Sequence, residues 1–257
     1  MDPDSAPPPL HALDPTRRFS DRALDYRRFR PDYPVAAIAA VLAGLGEPSQ
    51  QVAADVGAGT GIAARALADR GVRVIAIEPN AGMRSEAEPH PRVEWREGTA
   101  EATGLESASV HLVLCAQSFH WFRPQPALAE FHRVLRPGGR LVILWNRRDR
   151  GDPATLEFIE AIHAVNGEHP AERWSFDPGV IAGAGFDAPR LETFEHAQEL
   201  DLAGLLGRAR SASYVPKEGA LGERLTRLLE ELFERRRDAR GRVHLRYRTQ
   251  VYLTERR

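Results

Sequence analysis

Between residues 50 and 146, short apolar runs alternate with amphipathic stretches, and their order predicts five units of strand followed by helix. Residues 51–56 form an apolar run that stops at Gly57-Ala58-Gly59-Thr60-Gly61, so they read as a first strand feeding a tight turn. Residues 62–70 follow as a helix ended by Gly71, and 72–77 as a second strand closed by Glu78 and Pro79. Residues 92–96 make a weaker third strand, and 110–116 a fourth that is almost wholly apolar. Leu128, Phe131 and Leu135 fall at the spacing of one helical face, with Pro124 and Pro126 at the start and Pro137-Gly138-Gly139 at the end. Residues 141–145 complete the series as a fifth strand. Near-continuous apolar strands separated by helices imply a parallel sheet covered on both faces.

Beyond residue 150 the rhythm changes. Residues 153–165 read as a helix, 177–184 as a shorter one and 191–196 as a strand. Leu221, Leu225, Leu228, Leu229 and Leu232 form a helical stripe that suits core packing, or alternatively a dimer seam. Val243, Leu245, Tyr247, Val251 and Leu253 alternate as a late strand does. The pattern as a whole predicts an α/β fold: a seven-stranded, doubly wound, mostly parallel sheet with an antiparallel edge strand and a small helical cap. Residues 16–257 are expected to be a single domain. Insertions near 150–175 and 200–225 belong to the cap, at the sheet edge where ligands bind. Residues 1–15 are acidic and proline-rich and read as a disordered leader.

A chain of 257 residues, 42% hydrophobic and 28% charged, suffices for one large domain. A net charge of −1 gives no footprint for nucleic acid or an anionic membrane. Lys217 is the one lysine among 35 basic residues, a compositional bias with no mechanism attached. The single cysteine, Cys115, excludes an internal disulfide and a cysteine metal cage, and it is expected to be a buried, inert thiol. The nine histidines show no HxH or HxxxH spacing, so no metal is expected. No apolar run reaches the roughly 18 residues that span a bilayer. The first residues lack the order of a signal peptide. The expectation is a cytoplasmic protein, monomeric or homodimeric, acting on a small molecule.

The chemistry gathers at Asp55-Val-Gly57-Ala-Gly59-Thr-Gly61. Glycines permit a tight turn and close approach of a ligand, and a helix start offers free amides. Dinucleotide enzymes use glycine-rich turns too, but three details point elsewhere. The spacing is GxGxG. Asp55 precedes the turn, where it repels a pyrophosphate but can orient an ammonium, directly or through water; its alternative role is to cap the turn amides. Glu78 ends the second strand, where a carboxylate can accept both ribose hydroxyls, the alternative being a solvated helix start. A ligand with a ribose, a zwitterionic tail and no phosphate is implied, and S-adenosylmethionine fits.

With Glu78-Pro79-Asn80 and Met83, Glu97-Gly98-Thr99-Ala100-Glu101 and Val134-Leu-Arg-Pro-Gly-Gly139, that turn resembles the class I, Rossmann-like S-adenosylmethionine-dependent methyltransferases over residues 19–146. The resemblance implies that Thr99 and Ala100, flanked by Glu101, contact adenine, and that Met83 packs on its face. The family's common residue at position 99 is aspartate, so Thr99 departs from the pattern. Tyr26-Arg-Arg-Phe-Arg30-Pro-Asp-Tyr33-Pro and Ala116-Gln117-Ser-Phe-His120-Trp121-Phe122 are similar to the small-molecule branch related to trans-aconitate methyltransferase, as is Arg210-Ser-Ala-Ser213-Tyr214. Members of that branch largely methylate carboxylates or hydroxyls. The similarity implies that Tyr26 or Arg30 lies near the cofactor carboxylate, that Gln117 borders the cofactor, and that Tyr33, His120, Trp121 and Tyr214 face the acceptor.

His120 follows the fourth strand, near the expected position of the transferred methyl. There an imidazole can take a proton from a hydroxyl acceptor, or it can simply wall the pocket with Trp121. A carboxylate acceptor, already ionised, needs no base. The function implied is methyl transfer to a small molecule, with oxygen as the acceptor by the narrower resemblance. The alternatives are another reaction of the sulfonium, such as cyclisation, or a non-catalytic binding protein.

Overall fold

The computed structural model describes residues 23–169, 172, 175–181 and 183–257; the expected leader lies outside them. Strands β1 (Val52–Val56), β2 (Arg73–Ile77), β3 (Val93–Arg96), β4 (Val110–Ala116) and β5 (Leu135–Arg148) pair in parallel. They continue into β6 (Arg190–Leu200) and β7 (Val243–Glu255) to give the order β3-β2-β1-β4-β5-β7-β6. Alternate side chains go to opposite faces. Ala54, Val56, Val113 and Cys115 meet the helix α5 (Pro124–Val134) on one side, while Ala53, Val74, Leu112 and Leu114 meet α2 (Val35–Leu42) and α3 (Ile62–Ala68) on the other. This two-sided burial is the physical reason the strands read as unbroken apolar runs. Cys115 is fully buried, as expected.

The antiparallel strand is β7, which lies between β5 and the edge strand β6. Strand β5 is also much longer than its apolar center. It begins at Leu135 and carries Pro137-Gly138-Gly139 inside it. Gly138 turns to a φ of +72°, and a Cβ on Gly139 would lie 2.8 Å from the Arg136 carbonyl oxygen. These glycines therefore accommodate a shift of the β4–β5 register between Val110 and Leu112 rather than ending the element. Residues 177–184, expected as a helix, form only a 3-10 turn at Pro178–Ile181, cut short where Gly183 and Gly185 take positive φ.

Helices α6 (Pro153–Asn166), α7 (Leu202–Arg210) and α8 (Gly219–Arg236) pack together against β7, in the stretch where the cap is expected. Leu225, Leu229 and Leu232 of the stripe are buried there with Phe158 and Ile162 and with Val243, Leu245 and Tyr247 of β7. Helix α4 (Ala81–Ser85) follows β2, and Asn80 caps it by accepting from the Met83 amide at 3.1 Å.

The segment from α1 (Ala23–Phe29) to Tyr33 crosses from the sheet to the cap. Gln198 Nε2 donates to the Phe29 carbonyl (3.0 Å), Arg30 Nη2 to that of Ser211 (3.2 Å) and Asn146 Nδ2 to that of Asp32 (2.9 Å). Phe29 seats its ring against Gly207 so closely that a Cβ there would lie 2.3 Å from it. Gly207→Ala adds helix propensity worth about 1 kcal/mol, but the overpacking costs about 1–3 kcal/mol. We expect a lower Tm and faster amide exchange over residues 23–33. An increase in Tm would mean that Phe29 does not hold that seat.

Candidate functional site

Strand order reverses between β1 and β4, because the chain runs outward to β3 and then returns to pair β4 with β1. Side chains at the carboxyl ends of neighboring strands that diverge in this way leave a crevice. It opens into a cavity of about 290 Å³, near the lower end of ligand sites at about 300–1,000 Å³.

One end of the cavity is built by the turns after β1, β2 and β3. Gly57, Gly59, Glu78, Pro79, Met83, Thr99, Ala100 and Glu101 line it, together with Tyr26, Arg30 and Gln117. Asp55, Ala58 and Gly61, expected among the ligand contacts, do not. Gly61 makes room for Trp95, whose ring would lie 2.7 Å from a Cβ there, and Ala58 packs against the core. Gly57 similarly admits Ser118, which donates from Oγ to the Val56 carbonyl at 2.7 Å.

Four of the turn's amides are engaged within the fold. Those of Gly57 and Ala58 donate to the Ile77 carbonyl (2.9 and 3.1 Å), that of Gly61 to Ala58, and that of Gly59 to Glu78 Oε2 (2.9 Å). A pyrophosphate would find those four donors already taken. Glu78 Oε1 accepts the Asn80 amide at 2.9 Å. Each of its oxygens thus holds one of these amides and keeps capacity for another donor, because a carboxylate has about four acceptor positions. Burial raises the Glu78 pKa, and the amides of Asn80 and Gly59 draw it back. A carboxylate with spare acceptor capacity beside the apolar Met83 and Ala100 fits a ribose carrying a flat base. S-adenosylmethionine is therefore compatible with this end of the cavity.

Asp55 lies beneath the turn, 0% exposed, with neither oxygen hydrogen-bonded among the described residues. Burial lifts its pKa from 3.8 to about 7; the approaching Ala64 amide lowers it somewhat, and Glu78 raises it.

The other end of the cavity is aromatic and cationic. His120, Trp121 and Tyr214, expected from the sequence, line it with Trp145, Arg148, Glu172 and Arg208, which were not singled out there, whereas Tyr33 lines the cavity within the influence of Tyr26, Asp55 and Arg30. His120 sits in a 3-10 turn after β4, its ring 4.4 Å from that of Trp121 and 4.9 Å from that of Trp145. Burial, then Arg30 and His169, push its pKa down to about 3, so the ring is neutral at physiological pH. Gln117 takes a φ of +57°, held by its amide to the Leu144 carbonyl (2.9 Å) and its side chain to the Asn146 carbonyl (3.2 Å). Non-glycine residues in this conformation gather at functional sites. The position of Arg148 at the carboxyl end of β5 was the available signal for it. Arg208 carries none, because arginine is this chain's ordinary basic residue.

Residues 54–143 match the family model described as a methyltransferase domain. An uncharacterized methyltransferase-like protein from Schizosaccharomyces pombe is 31% identical over 207 residues, which is 78% of this chain and 79% of that protein. An uncharacterized methyltransferase from Mycobacterium tuberculosis is 42% identical over 125 residues, 48% of this chain and 50% of that one. A provisionally named type II methyltransferase from Anaeromyxobacter dehalogenans superposes with a TM-score of 0.61 at 27% identity, covering 89% of this chain and 98% of that one. No helix among the described residues is long and apolar enough to cross a membrane.

Proposed function

The chain belongs to the S-adenosylmethionine-dependent methyltransferases, and from that premise we propose that it methylates an oxygen of a small molecule held in the same cavity as the donor. The observation that carries this reading is the continuity of the cavity, which runs from Glu78 and Met83 to His120, Trp145 and Tyr214. The donor supplies an electrophilic methyl on a sulfonium. The protein's part is to hold the two reactants in line and keep water out, which can account for most of the acceleration. Glu78 would take the ribose hydroxyls, Met83 and Ala100 the adenine faces, and Tyr26 and Arg30 the amino-acid end.

His120 serves better as a wall than as a base. An imidazole whose pKa lies at about 3 has little affinity for a proton, and it is packed between two indoles. That favors an acceptor already ionised at neutral pH. His120→Ala should then raise KM and lower kcat by less than about tenfold, whereas loss of a working base costs about 10²–10⁴-fold. A loss of that larger size would make His120 the base.

Calorimetry with S-adenosylmethionine and S-adenosylhomocysteine tests the donor site. Labelled donor with a panel of small acids and phenols then tests the acceptor, read by product mass. Micromolar binding of both ligands and label in an ester or ether are expected. Binding with label at nitrogen or carbon would overturn the oxygen assignment.

A further inference from the structure

We propose that the acceptor carries an anionic group, a carboxylate or a phosphate, which docks on Arg208 with Arg30 and Arg148 beside it and serves as the handle by which the substrate is recognised. This rests on the proposed methyl transfer, whose acceptor end of the cavity it specifies.

The first observation is a buried cation without a counter-ion. Arg208, on α7, is 3% exposed and lines the cavity. Its Nε donates to the Tyr247 hydroxyl at 3.1 Å and its Nη1 to Ser211 Oγ at 3.3 Å, but no carboxylate lies within ion-pair distance of it among the described residues. Buried charges are ordinarily paired, and an unpaired one is costly. The other arginine buried below a tenth among the described residues obeys that rule. Arg140, 7% exposed, pairs with Glu255 at 3.0 Å and donates to the Val41 and Ala43 carbonyls at 2.9 and 2.7 Å. The arginine that stays unpaired is the one that faces the cavity.

Arg208 is also not isolated. Burial, together with Arg30 and Arg148, lowers its pKa to about 10 against the help of Tyr247. Nε of Arg30 is buried with no hydrogen-bond acceptor, and its guanidinium lies 4.7 Å from the center of the Tyr26 ring. Arg148 approaches Glu172 at 3.7 Å. Burial works against the Arg148 charge, but Tyr214 and Glu172 outweigh it. Glu172 is already engaged by His163 at 2.8 Å and by the Tyr214 hydroxyl. Of these three guanidinium groups only Arg148 has a carboxylate within ion-pair distance among the described residues, and Glu172 divides itself between Arg148, His163 and Tyr214. The donor makes the imbalance larger, because its sulfonium and ammonium outnumber its carboxylate. Even if Arg30 takes the donor's carboxylate, Arg208 still lacks a counter-ion. A planar guanidinium with free N–H groups suits a carboxylate or phosphate, and the indoles of Trp121 and Trp145 suit an apolar body attached to it.

The test uses the full chain saturated with S-adenosylhomocysteine, so that the donor's own carboxylate position is filled. Benzoate, phenyl phosphate and neutral benzamide are titrated against wild type and Arg208→Met. At least one of the two anions should bind tenfold or more tightly than benzamide, and that preference should disappear in Arg208→Met. The tighter anion identifies the handle as carboxylate or phosphate. The Tm of ligand-free Arg208→Met should equal or exceed that of wild type, because the variant removes an unpaired buried charge. If Arg208→Met does not fold, Arg208→Lys replaces it and should keep part of the preference. Equal binding of all three probes, or an unchanged preference in the variant, overturns the subsite. Absence of S-adenosylhomocysteine binding would instead overturn the donor assignment, and the anion titrations, repeated without it, still decide the subsite.

Discussion

Asp55→Asn is expected to stabilise the protein at pH 8 by about 4 kcal/mol and to do far less at pH 4.5. The folded carboxyl, buried without a hydrogen-bonding partner among the described residues, has its pKa raised from 3.8 to about 7. Below 3.8 both folded and unfolded chains carry the proton. Between 3.8 and 7 the unfolded chain has lost it and the folded chain has kept it, so stability falls as pH rises through that window. Above 7 both are ionised and the full penalty stands, about 1.4 kcal/mol for each pH unit of the difference. For a chain of this size the gain corresponds to a Tm higher by on the order of 10 °C. Thermal denaturation of both proteins at the two pH values reads it directly. An equal difference at both pH values would show that Asp55 does not titrate as described. Proteins keep such local conflicts chiefly at functional sites, and a carboxylate below the expected ammonium position is consistent with that.

Glu78→Ala is expected to weaken S-adenosylhomocysteine by about 1–3 kcal/mol, or roughly 5- to 150-fold. The loss has two sources: the ribose hydroxyls lose their acceptor, and the Gly59 and Asn80 amides lose the oxygens they share. Glu78→Gln separates them, because its one remaining oxygen can hold an amide but cannot receive both hydroxyls. Calorimetry should place Glu78→Gln between wild type and Glu78→Ala. Wild-type affinity in either variant would remove Glu78 from the donor site.

The sheet was legible because each of β1, β2 and β4 is buried on both faces, so burial wrote itself into unbroken apolar runs. The length of β5 was not legible, since Pro137-Gly138-Gly139 has the composition of a break and only its long-range pairing shows it to be a bulge. Gly57, Gly59 and Glu78, which line one end of the cavity, could be read together because they lie within two successive units, while Asp55, Ala58 and Gly61 of the same turn stay out of it. Yet the reason for each glycine could not be read: Gly61 yields to Trp95 and Gly57 to Ser118, contacts that only the folded chain creates. At the end proposed for the acceptor, the sequence singled out aromatic residues and not the arginines. Arg30, Arg148 and Arg208 come from three distant parts of the chain, and each alone is one arginine among many.

The place of β7 has a consequence for how the molecule assembles. Strand β6 is made before β7 yet touches the sheet only through it. Until residues 243–255 have paired with β5, β6 has no strand to pair with, and neither it nor the helix that follows it, carrying Arg208, is joined to the sheet. The donor half, from β1 to β5, needs only segments made in succession. The two halves of one cavity therefore differ in when they can first exist during synthesis: the crevice lined by Gly57, Gly59 and Glu78 comes first, and the walls that carry Arg208 are added afterwards.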